Sequence, residues 1–149
     1  VASVSVSHLI LFIASMMIAA SVAGVFTSSI GQLSGALSEQ GLDVSSEVRT
    51  DIEVISDSGA DGIYDSGTNT ITLYVKNTGT ERLAADPGEL DIFVDGQFVT
   101  GYTVTRADGS GAWQPGTVVR VEITQTLNGG DHRVQVTVNG DEEVFEFRT

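Results

Sequence analysis

Apolar positions follow two different rules along this chain. Between His8 and Ile30 they run LILFIASMMIAASVAGVFTSSI after the histidine, placing Leu, Ile, Phe, Met and Val on every side of a helical wheel. All-round apolarity of this kind marks a helix surrounded by lipid or by protein, and about 20 residues suffice to cross a bilayer core. A cleaved secretory signal needs a basic start and a shorter apolar stretch, and no Lys or Arg precedes this run. The pattern therefore predicts a retained transmembrane or filament-core helix. Past the span, Phe26, Ile30, Leu33 and Leu37 keep to one side, so the helix is expected to continue beyond the bilayer with an apolar stripe. Gly41 supplies the expected stop, giving a hydrophobic helix over 1–41 with its span at 8–30, and a linker over 42–49. Small residues recur four apart in the span, at Ser15, Ala19 and Ala23 and again at Ala20, Gly24 and Ser28. That spacing lets two helix backbones approach closely, so Ser15, Ala19, Ala20, Ala23 and Gly24 are the candidates for helix association.

From Thr50 onward the period changes to two, and turn dipeptides punctuate it at Pro87-Gly88, Asp95-Gly96, Asp108-Gly109, Pro115-Gly116, Gly129-Gly130 and Asn139-Gly140. Short strands between regular turns predict a sandwich or barrel. The candidate strands are Asp51 to Ser56, Thr70 to Lys76, Leu90 to Val94, Gln97 to Thr105, Val118 to Thr124, His132 to Val138 and Glu143 to Arg148. Seven strands fit an immunoglobulin-like sandwich over 50–149, and with the helix the chain is α+β by content.

Turn chemistry fixes two registers. If Asn139-Gly140 is a two-residue type I′ turn, Val134 falls opposite Phe145, Arg133 opposite Glu146 and Asp131 opposite Arg148. One face gains an apolar pair and the other two opposite charges, which a one-residue slip would destroy. The same counting around Asp95-Gly96 sets Ile92 opposite Val99 and Phe93 opposite Phe98. The second pair shares a face with Asp91 and Thr100, and exposed aromatics rimmed by polar groups make Phe93 and Phe98 a candidate partner surface.

Charge sharpens the division. Among 149 residues there are 20 acids and 7 bases, a formal net charge of −13, yet Val1 to Ser38 contains none of them. About 110 residues then remain for one domain, enough to bury roughly 65% of the surface its unfolded chain exposes. A potential this negative repels phosphate backbones and disfavours nucleic acid as a partner. Eleven of the acids are Asp and Lys76 is the single lysine, a surface suited to brine, where salt shortens repulsion to a few ångströms. Orientation has little to rest on, since only Arg49 follows the helix closely; the shortage of flanking bases favours an acidic domain outside the cytoplasm.

Chemistry is sparse. With no cysteine, disulfides, zinc thiolates and thiol nucleophiles are out. His8 and His132 lie far apart, and the chain has no Gly-rich phosphate loop, nucleophile elbow or HExxH. No enzyme activity and no cofactor are expected. Carboxylates four apart at Asp57, Asp61 and Asp65 around glycines form a weak candidate for calcium. Their spacing departs from an EF-hand and no Glu closes it, so a solvated Asp-rich turn is the preferred reading.

Taken together, ASVSVSHLILFIASMMIAASVAG, RTDIEVISD, LYVKNTGTERL, DIFVDGQFV, WQPGTVVRV and GDHRVQVTVNGDEEVFEFR resemble the FlaF/FlaG family of archaellum (archaeal flagellum) proteins, in its haloarchaeal form. The resemblance covers nearly the whole chain. It implies a membrane helix carrying a β-sandwich outside the cytoplasmic membrane, in the pseudo-periplasm, and a structural role at the archaellum base. It further implies a stator that self-associates and reaches the S-layer through a FlaF-like protein. The alternatives are a type IV pilin-like filament subunit, or a membrane-tethered envelope sandwich with no motility role. Pilin-like subunits usually show a basic processing site before the helix and an acid just inside it; neither is present in this sequence.

Overall fold

The computed structural model describes residues 2–60, 62–109 and 111–149. Two compact units divide the chain, Val1–Asp43 and Val44–Thr149, and one helix, α1 (Ala2–Arg49), runs from the first into the second. Within the first unit the large apolar side chains of α1, from Val4 to Leu42, are exposed. The helix is long and apolar enough to cross a membrane.

Gly41 does not end the helix as expected; α1 continues to Arg49. An interior glycine costs about 1 kcal/mol, and the residues after it, Leu42 to Val48, contain no proline to stop propagation. The true end is made by the second unit. The Arg49 carbonyl accepts the backbone N–H groups of Thr80 and Glu81 at 3.0 and 3.2 Å, and the Thr50 hydroxyl donates to the Ser46 carbonyl at 2.9 Å. These bonds satisfy carbonyls that a helix terminus leaves without a partner.

The second unit is a sandwich of two antiparallel sheets. The strands are β1 (Ile52–Val54), β2 (Tyr64–Asp65), β3 (Thr70–Asn77), β4 (Asp91–Val94), β5 (Gln97–Val99), β6 (Tyr102–Arg106), β7 (Val118–Thr124), β8 (Asp131–Val138) and β9 (Asp141–Arg148). One sheet has the order β1-β3-β7-β6 with β2 also on β3, and the other β5-β4-β8-β9. Period-two burial decides which faces meet. Ile71, Leu73 and Val75 pair with Ile123, Val121 and Val119, and all six are buried against Ile92, Val94, Val134 and Val136 of the opposite sheet. Full burial of each such aliphatic side chain stabilises by about 1.5–3 kcal/mol.

Among the described residues nine strands stand where seven were expected. The additional β2 is a two-residue bridge onto Ile71 and Thr70. The other difference corrects the single strand Gln97 to Thr105, which is two strands in different sheets. Val99 and Val104 are both buried but lie five apart, and in an unbroken strand an odd spacing would point them to opposite faces. The chain resolves the conflict by crossing between sheets at Thr100-Gly101.

Both turn-derived registers hold. Asn139 and Gly140 adopt φ of 47° and 87°, and Asp95 and Gly96 of 50° and 80°, the positive pair that a type I′ turn requires. Val134 faces Phe145, Arg133 faces Glu146 and Asp131 faces Arg148, while Ile92 faces Val99 and Phe93 faces Phe98.

Candidate functional site

In the helix, the small-residue positions form the floor of an open apolar groove. Ser15, Ala19 and Ala23 line it beside the ridge of the larger Ile18, Val22 and Phe26. Side-chain hydroxyls along α1 satisfy themselves: Ser15 donates to the Leu11 carbonyl at 2.7 Å, Ser21 to Met17 at 2.8 Å and Thr27 to Ala23 at 2.9 Å. A hydroxyl bonded back to its own helix enters hydrocarbon without an unsatisfied proton. A Cβ added at Gly24 would meet nothing within 4 Å, so that position is open to a neighbouring surface.

On the sandwich, the β5-β4-β8-β9 sheet turns its outer face to solvent. The pairings Phe93–Phe98, Phe93–Gln135 and Gln135–Val144 align four side chains straight across it. Phe98 is 55% exposed and Val144 44%, and the Phe93 and Phe98 ring centroids lie 5.3 Å apart in a tilted arrangement. The tilt is one that aromatic quadrupoles favour. Asp91 and Glu142 border the row on one side, with Arg133 and Glu146 on the other.

A histidine clamp lies at one end of the same sheet. His132 Nδ1 is 2.7 Å from Asp95 Oδ2, and Nε2 is 2.7 Å from the Asn128 carbonyl. Both neighbours are acceptors, so the arrangement favours the doubly protonated imidazolium, in which each nitrogen donates. The other Asp95 oxygen accepts the Arg133 N–H at 3.0 Å, and the ring lies against Phe147 with centroids 5.8 Å apart. Its side chain is 10% exposed. The hydrogen bond to Asp95 raises the His132 pKa against the opposing effect of burial, with the Asn128 carbonyl and the Asp95 and Asp131 charges adding to the rise. Burial alone would raise the Asp95 carboxyl, but the bonds from His132 and Arg133 outweigh it and hold the group low.

These directions fix a pH dependence. The histidine contribution is complete below the ordinary imidazole value of 6.5 and is lost as pH rises through the raised folded value. The aspartate contribution is lost only as pH falls through its lowered one. Thermal melts from about pH 5 to about pH 9 are expected to show a decline in stability as pH rises above the ordinary imidazole value of 6.5. The same decline is expected to vanish in His132→Gln. An identical slope in that variant would assign the decline to other groups.

The acid loop is organised differently. Asp57 Oδ1 accepts the Gly59 N–H at 3.0 Å and Asp65 Oδ1 the Gly67 N–H at 2.8 Å, so each carboxylate closes its own turn. The Gly67 bond is the main reason that the Asp65 pKa is lowered. Asp61 lies outside the described residues. Among the described residues no group of three His, Asp or Glu side chains is placed to hold a metal.

Two features escaped the sequence. The His132–Asp95 pair is set by the β4–β8 ladder, where Val94 faces Val134, and no local spacing reveals it. The second is a seam of like charge between β1 and β9. Burial raises the Glu143 pKa, and Asp141, Glu53 and Asp51 raise it further; the signal was the parity of Glu143, which puts an acid on an inward position of β9.

Comparison with known proteins places this architecture. The model of archaeal-type flagellin matches residues 2–147, helix and sandwich together. A flagella-related protein G of Methanocaldococcus jannaschii is 31% identical over 137 residues, spanning 91% of this chain and 88% of that protein. A flagella-related protein G of Methanococcus voltae is 30% identical over 146 residues, spanning 93% of each. The family is one of filament and motility components and not of enzymes. With a full-length match and an apolar N-terminal helix joined to a β-sandwich, the chain belongs to the archaeal-type flagellin family, with the flagella-related G proteins.

Proposed function

We propose that the protein is a structural component of the archaellum motor, a membrane-anchored stator that self-associates and couples the motor to the S-layer through a FlaF-like partner. The observation that carries this reading is the division of chemistry along the chain. A helix free of charge to Ser38 is followed by residues 39–149, which carry the entire net charge. The first part suits lipid and other helices, and the second suits a salt-rich space outside the cytoplasmic membrane, where screening leaves protein contacts open. The helix associates through the groove floored by Ser15, Ala19 and Ala23, with Ala20 and Gly24 on the neighbouring side. Cells lacking the gene are expected to build filaments and fail to swim; normal swimming would overturn the stator reading.

The outer sheet face is the proposed site for the FlaF-like partner. Replacing Phe93 and Phe98 together with serine is expected to leave the fold intact, because Phe98 is more than half exposed. Capture of that partner by the full-length protein in high salt is expected to fall by more than about tenfold, as loss of an aromatic anchor does. Unchanged capture would exclude this face.

One observation favours a second reading, a filament subunit. The flagellin match includes the helix as well as the sandwich, and in a filament the same exposed helix would pack into a common core. Electron microscopy of purified surface fractions separates the two, since only the second predicts helical assemblies built from this chain.

A further inference from the structure

We infer that the free edge of β9 is where a second copy of this chain adds to the sheet, in one antiparallel register centred on Phe145. The inference rests on the self-association proposed above and names its surface. In the hairpin closed by Asn139-Gly140, the odd residues of β9 bond to β8, and the outermost rung is completed by Thr149 with Gly130 at 3.0 and 3.3 Å. The N–H and C=O groups of Glu142, Val144, Glu146 and Arg148 therefore point away from β8. Among the described residues none of them has a backbone partner. At eight residues β9 is far longer than β5, the three-residue edge on the opposite side of the same sheet. A long unpaired edge is a template for another strand, and β-strand addition is an established mode of recognition.

Charge selects both the partner and the register. With Phe145 opposite its own copy, Glu142 faces the second copy's Arg148, and the twofold symmetry makes that pair twice. Sliding two residues one way about the twofold puts Glu142 opposite Glu146 twice. Sliding two residues the other way puts Glu146 opposite itself. Only the Phe145-centred register pairs the whole strand with opposite charges at both ends. Among the described residues Arg148 has one ion pair, a loose, exposed contact with Asp131 at 3.6 Å, worth little by itself. Inside the sandwich, Phe145 and Phe147 stack with centroids 6.0 Å apart, and Phe145 meeting its copy extends that aromatic row across the joined sheets. A dimer built this way is isologous and closed.

The test uses the full chain in detergent micelles, at the lowest salt that keeps it folded. It contains no native cysteine, so single cysteines report position. Val144→Cys is expected to cross-link with a short bismaleimide, the two sulfurs standing about 9 Å apart in this register. Gln97→Cys on the β5 edge and Thr103→Cys on the β6 edge are expected to cross-link far less. Adding Glu146→Pro removes an outward N–H that the single sandwich does not use. It is expected to lower the Val144→Cys product by about tenfold with Trp113 fluorescence melts unchanged. As a second route, Glu142→Arg and Arg148→Glu are each expected to lower the product, and their combination to restore it. Equal cross-linking at all three edges, or a product indifferent to the proline and to the charge changes, overturns the inference. Ser21→Cys in the helix separates the two levels. A helix product without a Val144→Cys product removes the β9 edge and leaves self-association standing, and no product at either position removes both.

Discussion

Alanine at position 79 is expected to destabilise the sandwich by about 3 kcal/mol, the upper range for overpacking, because no neighbour is able to move aside. A Cβ on Gly79 would stand 2.4 Å from the Arg49 carbonyl oxygen and 2.6 Å from the Asp51 nitrogen. Both obstacles are backbone, and both belong to the junction where the helix ends. Gly79 N–H also donates to the Asp51 carbonyl at 2.9 Å and to Asn77 Oδ1 at 3.1 Å, and Thr80 and Glu81 next to it cap Arg49. Arg49 itself reaches Glu81 at 3.1 Å. A shift of the Thr78 to Glu81 loop therefore loosens the clash, the cap and the ion pair together. The measurement is denaturant unfolding followed by Trp113, the single tryptophan. A midpoint unchanged in Gly79→Ala would show that the loop yields freely and that the close approach carries no stability.

Trp113→Ala is expected to have an equal or larger effect, about 3–5 kcal/mol, against a total that for a domain of this size is about 5–15 kcal/mol. The indole has no solvent exposure and is the largest fully buried side chain. Its Nε1–H donates to the Thr117 carbonyl at 3.0 Å, and its own backbone forms an isolated bridge with Leu83 at 2.9 Å in both directions. The Trp113 carbonyl also accepts from the buried Asn77 side-chain amide at 3.2 Å, while that amide donates to the Glu81 carbonyl at 2.9 Å. The tryptophan thus fills the core beneath the same loop that caps the helix. Trp113→Phe keeps most of the volume and removes one of two donors to the Thr117 carbonyl, which still accepts the Asn77 N–H at 3.0 Å, so about 0.5–1.5 kcal/mol is expected for that change. Strand-region circular dichroism during thermal melting distinguishes the two variants. A loss in Trp113→Phe as large as that in Trp113→Ala would mean that the hydrogen bond, not the packing, dominates.

Local rules that act over a few residues were legible in full. The uncharged run predicted the helix because lipid tolerates no alternative to internally satisfied backbone. The dipeptides Asp95-Gly96 and Asn139-Gly140 predicted their registers because only a type I′ turn matches the twist of the strands they join. The pairing of half-buried Phe93 with exposed Phe98 followed from the same counting. The division at Gln97 to Thr105 was written in the odd spacing of Val99 and Val104, although the turn dipeptides do not mark it. Where the helix stops was not legible, because Gly41 offers a local signal that the backbone donors of Thr80 and Glu81 override. The metal reading of the acid loop rested on spacing alone. Asx turns at Asp57 and Asp65 engage those carboxylates individually, which no spacing reveals.

By itself, the sequence determined the two materials of this protein: a helix uncharged as far as Ser38 for lipid or helix contact, and an acidic sandwich whose alternating residues and turns set its hairpins. Both properties reside in neighbouring residues, within one helical turn or one rung of a hairpin. The tertiary structure alone decided where the helix ends, which histidine has its pKa raised, and why position 79 must be glycine. Each of these depends on atoms brought together across the fold, Arg49 to Glu81, Asp95 to His132 and Gly79 to Asp51, at ranges set by sheet packing and not by spacing in the chain.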